Sequence, residues 1–325
     1  MRIELKVKSA YRFFAIEPHL FSASFFACLM KHLSPAAGFL GLPKKTAPSF
    51  EKAKAVIIPF GLEDSVSYGG GTGKGPQAIL KASHQVELFD EAYWREVVYD
   101  YGVVTLPEPK IKKGMKAALK QIEDLTEAVL AAGKFPFALG GEHSQTAGSI
   151  RPFCKRHAKI GVLHFDAHAD LRDGYAGEPY SHAAALRRVL DHDEVVSLVS
   201  VGIRNISAEE IPFLASNPER IRMFFAKDRR MWNLDEMMKP LQGLPVYLTF
   251  DIDGLDASLM PATGTPEPGG LFWQDVMDVF EAARRAGITF VGADLVELAP
   301  RKELHGCDFL AAKLVYKMLS LCLAR

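Results

Sequence analysis

The chain has 325 residues, 48% of them hydrophobic, with 39 basic residues balanced by 39 acidic ones. These values indicate a globular protein with a sizeable core and argue against a general attraction to nucleic acid or to a membrane surface. Four widely spaced cysteines show neither the CxxC pattern of a zinc site nor the density of a disulfide scaffold, so we expect reduced thiols in a cytoplasmic protein. They are Cys28, Cys154, Cys307 and Cys322.

Residues 1–50 are predicted to be an N-terminal extension that a loop joins to the main domain. Its apolar stretch, Phe13 to Leu29, is interrupted at Glu17, and the remaining run from Leu20 to Met30 is too short to span a bilayer. A covering helix or a subunit contact is therefore favoured over a targeting segment, and no membrane association is expected.

From Ala55 onward, apolar runs alternate with helical patterns. Predicted strands occupy Ala55–Pro59, Val97–Val104, Phe135–Leu139, Ile160–Phe165, Val195–Val201, Arg222–Phe225, Val246–Phe250 and Ile288–Val291. Predicted helices occupy Pro76–Ser83, Gly114–Ala132, Ser181–Leu190, Phe272–Ala286 and Cys307–Leu323. This alternation predicts a single α/β domain over residues 51–325, a three-layer α/β/α fold with a mostly parallel sheet of about eight strands. Ligands of such sheets bind outside the carboxyl ends of the strands.

Three of these strand ends carry residues that commonly bind metals. Asp166, His168 and Asp170 follow one strand at alternate positions, and an extended backbone would point them to the same side. His143 follows another strand in Gly140-Gly-Glu-His-Ser144, and Asp251 and Asp253 follow a third. Each motif alone could be a solvated strand end or a turn, but fold stability does not require six such groups together.

Six nitrogen and oxygen ligands exceed one tetrahedral site and suit two divalent cations bridged by carboxylates. The absence of thiolate favours Mn²⁺ over Zn²⁺, two ions per subunit, while Ni²⁺ and Co²⁺ stay open. Two such ions can deprotonate a bridging water and so produce a hydroxide nucleophile at neutral pH.

These motifs, together with Phe250-Asp-Ile-Asp-Gly-Leu-Asp256 and Gly292-Ala-Asp-Leu-Val-Glu297, resemble those of the ureohydrolases, the arginase and agmatinase family. The resemblance runs from about residue 55 to the end. It implies one ion bound by His143, Asp166, Asp170 and Asp251, and a second bound by Asp166, His168, Asp251 and Asp253. It also implies a homo-oligomer, a trimer or hexamer.

The resemblance assigns two further roles. Glu297 matches the carboxylate that holds the substrate guanidinium, and His182 matches a histidine that carries protons; a helix N-terminal residue is the alternative for His182. The metal-bridged hydroxide would attack the guanidinium carbon while Asp170 accepts a hydrogen bond from it, and His182 would protonate the leaving amine. His164 is interpreted as a core or supporting residue, and Asp256 and Glu142 as carboxylates that could orient the ligands.

Agmatine is the favoured substrate, with urea and putrescine as products. The segment Leu171 to Ala183 lacks the arginase pattern, and it resembles the agmatinase branch, as does the glycine-rich loop from Ser67 to Ile79. That loop lacks Walker spacing and is interpreted as a border of the active-site mouth. Arg172, Asp173 and Glu178 are candidates to contact the far end of the substrate, with plain surface charges as the alternative.

The motifs are also compatible with other substrates and functions. N1-aminopropylagmatine, guanidinobutyrate, arginine and guanidine are alternative substrates within the same chemistry. A formiminoglutamase would release formamide instead of urea. A metal-binding protein without turnover would not need the complete ligand set plus Glu297, and a histone-deacetylase-type zinc site would not need His143.

Overall fold

The computed structural model describes residues 31–324, in which eight strands form one sheet. The strand order is β2-β1-β3-β8-β7-β4-β5-β6, and every neighbouring pair is parallel. The strands are β1 (Ala55–Phe60), β2 (Val103–Thr105), β3 (Phe135–Gly140), β4 (Ile160–Phe165), β5 (Val195–Ile203), β6 (Ile221–Phe225), β7 (Pro245–Asp251) and β8 (Thr289–Val296).

Helices cover both faces of this sheet. They are α1 (Gly75–Ser83), α2 (Val98–Tyr101), α3 (Met115–Ala131), α4 (Thr146–Ser149), α5 (Arg151–Cys154), α6 (Ala185–Leu190), α7 (Ile211–Ser216), α8 (Leu234–Met238), α9 (Trp273–Arg285) and α10 (His305–Leu323). Helix α3 ends at Ala131, two residues before Gly133, whose φ of 69° is readily adopted by glycine and whose N–H donates to the carbonyl of Leu130.

The central strands are mainly apolar because their alternate side chains enter different cores. In β4, Leu163 and Phe165 pack in the core that contains α1, α9 and α10, whereas Ile160 and Val162 pack in the core that contains α6. A strand buried on both faces has no polar side to display. The predicted three-layer α/β/α fold with a parallel sheet is confirmed.

The predicted strand Val97–Val104 is wrong over its first half. Residues Val98–Tyr101 form α2, Gly102 turns the chain with a φ of 64°, and β2 begins only at Val103. Val97, Val98 and Tyr101 are all buried, and a short apolar run does not by itself separate a buried helical turn from a buried strand.

The N-terminal part of the described chain lies against the main body. The N–H of Phe39 donates to the Thr105 hydroxyl and that of Leu40 to the Ser83 hydroxyl, which holds the buried Phe39 side chain over β2 and α1. The apolar stretch from Phe13 to Met30 lies outside the described residues, and a domain boundary at residue 50 stays a prediction. Within residues 31–324, every helix is too short or too polar to cross a membrane.

Candidate metal centre

The candidate site lies where four adjacent central strands end. Strands β3, β8, β7 and β4 are consecutive neighbours in the sheet. His143 follows β3, Glu297 follows β8, Asp251 is the last residue of β7, and Asp166 follows β4. Because parallel strands end at the same edge of the sheet, residues more than 150 positions apart in the chain become neighbours there.

One group of donors surrounds the Nδ1 atom of His143. This nitrogen is 3.1 Å from Asp166 Oδ2, 3.1 Å from Asp170 Oδ2 and 3.3 Å from Asp251 Oδ2. The His143 side chain is only 1% exposed. Three carboxylates and one imidazole thus face a common buried point, and they are the four residues predicted to bind the first ion.

A second group adjoins the first through Asp166. His168 Nδ1 is 3.0 Å from Asp253 Oδ2 and 3.4 Å from Asp166 Oδ1. Asp251 Oδ1 accepts a hydrogen bond from the Asp253 backbone N–H at 2.9 Å, which keeps these two carboxylates close. Asp166 therefore offers Oδ2 to the first group and Oδ1 to the second, the arrangement that a bridging ligand requires.

The convergence of Asp166, His168 and Asp170 does not depend on strand alternation, contrary to the sequence-based argument. Strand β4 ends at Phe165, and Asp170 adopts a φ of 54° that brings its carboxylate back toward His143. Glu297 has a similar φ of 68°. Positive φ values in residues other than glycine are costly and tend to occur at functional sites.

The close carboxylates strongly perturb one another. Burial and the charges of Asp253 and Asp166 raise the pKa of Asp251 well above its usual range, and burial and Asp166 raise that of Asp170. Burial also disfavours the charged form of Asp166, but close contacts with His143, His164 and His168 lower its pKa well below normal. For His168 the nearby carboxylates outweigh burial and raise the pKa to about 12. These shifts show a surplus of buried negative charge that divalent cations would compensate.

The orientation of His143 fits a metal ligand. Its Nε2 is 3.0 Å from the Thr249 hydroxyl, which donates at 2.6 Å to the buried Asp294. Its Nδ1, in contrast, has no hydrogen-bond partner of good geometry among residues 31–324, although it is buried. A histidine whose second nitrogen is fixed by such a partner is the usual form of a metal-binding imidazole. The donor set and this open nitrogen therefore fit two divalent cations.

His164 contacts a candidate ligand, whereas the hydrogen bonds of Asp256 go to the loop that follows it. His164 lies with Nε2 2.9 Å from Asp166 and Nδ1 3.0 Å from Ser200, so both ring nitrogens are occupied, as expected for a residue that orients a ligand. Asp256 instead accepts hydrogen bonds from Ser258 and Gly270, which lower its pKa to about 2. These bonds shape the following loop and do not orient a ligand.

A cavity of about 220 Å³ opens above the ligand cluster. Its walls include the predicted residues His182 and Glu297, and Ser67, Tyr68 and Gly69 of the glycine-rich loop form part of its rim. Glu297 is 7% exposed, and its Oε1 accepts the backbone N–H of His143 at 2.7 Å. Burial and the charge of Glu142 raise the pKa of Glu297 well above normal. A bound guanidinium would counteract this shift.

The glycine-rich loop has no free cradle of N–H groups for a phosphate. The carboxylate of Glu63 accepts the N–H groups of Gly71 at 2.7 Å and Gly73 at 2.8 Å. Gly69 packs so closely on the Gly264 carbonyl that a Cβ atom would lie 2.7 Å from it. The loop thus joins the segment around Gly264 to close one side of the cavity, as expected for a border of the mouth.

Of the three residues predicted to contact the far end of the substrate, only one lines the cavity. Arg172 lines the cavity and pairs with Glu209, but Asp173 and Glu178 are absent from the lining and interact locally. Sequence reasoning also missed several residues that belong to this region, namely Ser65, Tyr175, Asn205 and Glu267. They lie in loops, outside the metal-binding motifs, so the spacing of those motifs does not mark them.

The parallel α/β fold and a carboxylate–imidazole cluster under a cavity are those of a metal-dependent hydrolase. The chain belongs to the arginase family, whose model matches residues 53–320. It is therefore a hydrolase of guanidino compounds.

Two relatives and one solved structure illustrate the likeness. An agmatinase of Bacillus anthracis is 36% identical over 260 residues, which are 79% of this chain and 87% of the relative. An N(1)-aminopropylagmatine ureohydrolase of a Synechocystis species is 34% identical over 290 residues, 86% of this chain and 92% of the relative. The agmatine ureohydrolase structure of Thermoplasma volcanium superposes with a TM-score of 0.76 at 27% identity, covering 92% of this chain and 97% of that one.

Proposed function

We propose that this protein hydrolyses agmatine to urea and putrescine. The observation that carries the proposal is one cavity that has five of the six candidate ligands in its lining, the sixth, Asp166, buried beneath them, and the buried carboxylate of Glu297 in its wall. A buried carboxylate is a suitable partner for a planar guanidinium group, which presents paired N–H donors. Similarity to the agmatinase of B. anthracis and the agmatine ureohydrolase of T. volcanium supports agmatine as the particular substrate.

We assign the metal ligands as His143, Asp166, Asp170 and Asp251 for one ion and Asp166, His168, Asp251 and Asp253 for the other. The two donor groups around His143 and His168 support this division, with Asp166 facing both. Mn²⁺ is the proposed ion because the ligands are mainly carboxylates. When bound, two such cations act as Lewis acids and lower the pKa of water.

The chain's own residues then bind and orient the substrate. Glu297 holds the guanidinium group, and its backbone contact with Gly141 at 2.7 Å fixes it relative to His143. Asp170 accepts a hydrogen bond from the attacking water. His182, which lines the same cavity, delivers one proton to the nitrogen of the breaking C–N bond, so that putrescine leaves as a neutral amine.

A urea-release panel tests the substrate. The purified protein, loaded with Mn²⁺, is expected to release urea from agmatine much faster than from arginine, guanidinobutyrate or guanidine, with metal content measured on the same preparation. N1-aminopropylagmatine is the second candidate, because of the similarity to the Synechocystis ureohydrolase. A higher kcat/KM for arginine would refute the agmatine assignment, and formamide release from a formimino compound would indicate a formiminoglutamase.

Three broader features are part of the same proposal. A homo-oligomer, trimer or hexamer, follows from the resemblance to the family. A cytoplasmic location agrees with the thiols of Cys154, Cys307 and Cys322, which are all free. Putrescine as the product would connect the enzyme to polyamine synthesis.

A further inference from the structure

A buried carboxylate, that of Glu142, organises the loop that follows β1. Its Oε2 accepts the backbone N–H groups of Asp64 at 2.7 Å and Ser65 at 2.6 Å. Its Oε1 accepts the hydroxyl groups of Ser65 at 2.8 Å and Ser144 at 2.5 Å. Four donors are directed at the four lone-pair positions of this carboxylate, so both oxygens act as hydrogen-bond acceptors.

The hydroxyl of Ser65 lies between Glu142 and His182. Besides its contact with Glu142, Ser65 Oγ accepts the backbone N–H of His182 at 3.0 Å and lies 3.2 Å from His182 Nδ1. A hydroxyl has one proton and two lone pairs. The carboxylate of Glu142 can only accept and the N–H of His182 can only donate, so the single proton goes to Glu142 and one lone pair to the N–H.

The remaining lone pair of Ser65 can only accept a hydrogen bond, which requires a proton on His182 Nδ1. In a neutral imidazole the other nitrogen, Nε2, then lacks a proton. We infer that Ser65, held by Glu142, is a positioning residue that keeps His182 in the Nδ1–H form and leaves Nε2 as the atom that exchanges protons. This inference rests on the proposed function of His182, but the form of the ring can be measured without turnover.

Ser65 can orient the His182 ring without contacting the substrate. Ser65 is not among the residues that line the cavity, whereas His182 is. The ring of Tyr175 meets that of His182 edge to face, with centroids 6.0 Å apart, and restrains the ring from another side. Loss of the Ser65 hydroxyl should therefore change kcat and leave the KM for the guanidino substrate close to its original value.

The form of the ring is measurable by ¹⁵N NMR on histidine-labelled protein loaded with diamagnetic Zn²⁺, at a pH where histidine is neutral. Protonated and unprotonated ring nitrogens resonate in separate regions, and His182→Asn identifies the signal among the 10 histidines. In the unmodified protein we expect the proton on Nδ1. A proton on Nε2 would overturn the inference whatever the substrate proves to be.

Ser65→Ala tests the role of the serine. We expect a mixture of both ring forms and a fall in kcat of about 2- to 12-fold, which corresponds to about 0.5–1.5 kcal/mol for one hydrogen bond. Ser65→Thr keeps the hydroxyl and should restore both the Nδ1–H signal and most of kcat.

Ser216→Ala serves as the matched control, since it removes an exposed hydroxyl that donates to the Phe213 carbonyl and accepts from the Asn217 side-chain amide, and it should change neither readout. An unchanged Nδ1–H signal in Ser65→Ala would overturn the role of Ser65. If Ser65→Ala does not fold, Ser65→Thr and the unmodified protein still decide, because a proton on Nε2 in either contradicts the inference. Failure of the proposed function alone would appear as a correct NMR result with no urea released from agmatine.

Discussion

Replacing Asp251 with asparagine should change stability in opposite directions with and without metal. Asp251 Oδ2 and Asp166 Oδ2 lie 3.3 and 3.1 Å from the same His143 nitrogen, so they are at most 6.4 Å apart. Two unit charges at that distance repel by about 2.5 kcal/mol at an effective dielectric constant of about 20. Without metal, this repulsion and the cost of burying the charge raise the pKa of Asp251, so the folded chain must either carry the charge at that cost or keep a proton that the unfolded chain releases. Asp251→Asn removes the penalty in either case.

The opposite effect follows when metal is present. A ligand at 100 times its Kd stabilises the folded protein by about 2.7 kcal/mol, provided that it does not bind the unfolded chain. Asp251 is proposed to contact both ions, and an amide is a weaker ligand without a charge, so most of this gain should disappear. A change of 1 kcal/mol moves the melting temperature by about 2–4 °C in domains of 150–250 residues and by less in a longer chain.

Calorimetry of the original and substituted proteins, each with chelator and with Mn²⁺, measures both effects. We expect Asp251→Asn to melt a few degrees higher than the original protein in chelator, to gain little from Mn²⁺ and to release no urea. Asp235→Asn is the matched control, since its carboxylate is 79% exposed and pairs with Arg285, which is itself exposed. A full Mn²⁺-dependent rise in Asp251→Asn would refute the two-ion assignment, and a lower melting temperature in chelator would refute the electrostatic argument.

Three further predictions concern the same centre. Metal-free protein should lose stability from pH 5 to 8, because raised pKa values of His143, His168 and Asp251 keep protons on the folded chain that the unfolded chain releases; constant melting temperatures would contradict this. Glu297→Gln should lower kcat/KM by about 30-fold or more, the equivalent of about 2 kcal/mol for a buried charge pair, while the exposed Glu303→Gln should not. Gly254→Ala would place a Cβ 2.9 Å from the Asp166 backbone nitrogen, so we expect weaker metal binding by calorimetric titration; unchanged affinity would count against this packing argument.

The fold was largely predictable because its strands are buried on both faces. Such strands appear in the sequence as mainly apolar runs, and the runs alternate with helical patterns as a parallel sheet requires. The run from Val97 to Val104 is the exception, since Val97 and Tyr101 are buried in a helical turn and its neighbour as completely as they would be in a strand. The spacing of apolar residues in so short a run cannot distinguish a buried helical turn from a buried strand.

The candidate ligands were also predictable, because parallel strands place their carboxyl ends at one edge. His143, Asp166 and Asp251 each follow an apolar run directly, so their proximity follows from the sheet. The sequence could not show which oxygens face which histidine. That depends on the strand order β3-β8-β7-β4 and on the positive φ of Asp170, which sends its carboxylate toward His143.

The sequence by itself therefore determined the layers of the fold, the strand ends where chemistry occurs and the kinds of group found there. The tertiary structure alone decided the contacts of loops, for which no periodicity exists. Ser65, Glu142 and His182 meet across separations of 77 and 117 residues, and one serine in a loop carries no sequence signal of its role. A strand or helix that is buried at regular intervals shows a matching spacing of apolar residues in the sequence. The direction of a single hydrogen bond is set only when distant segments fold together.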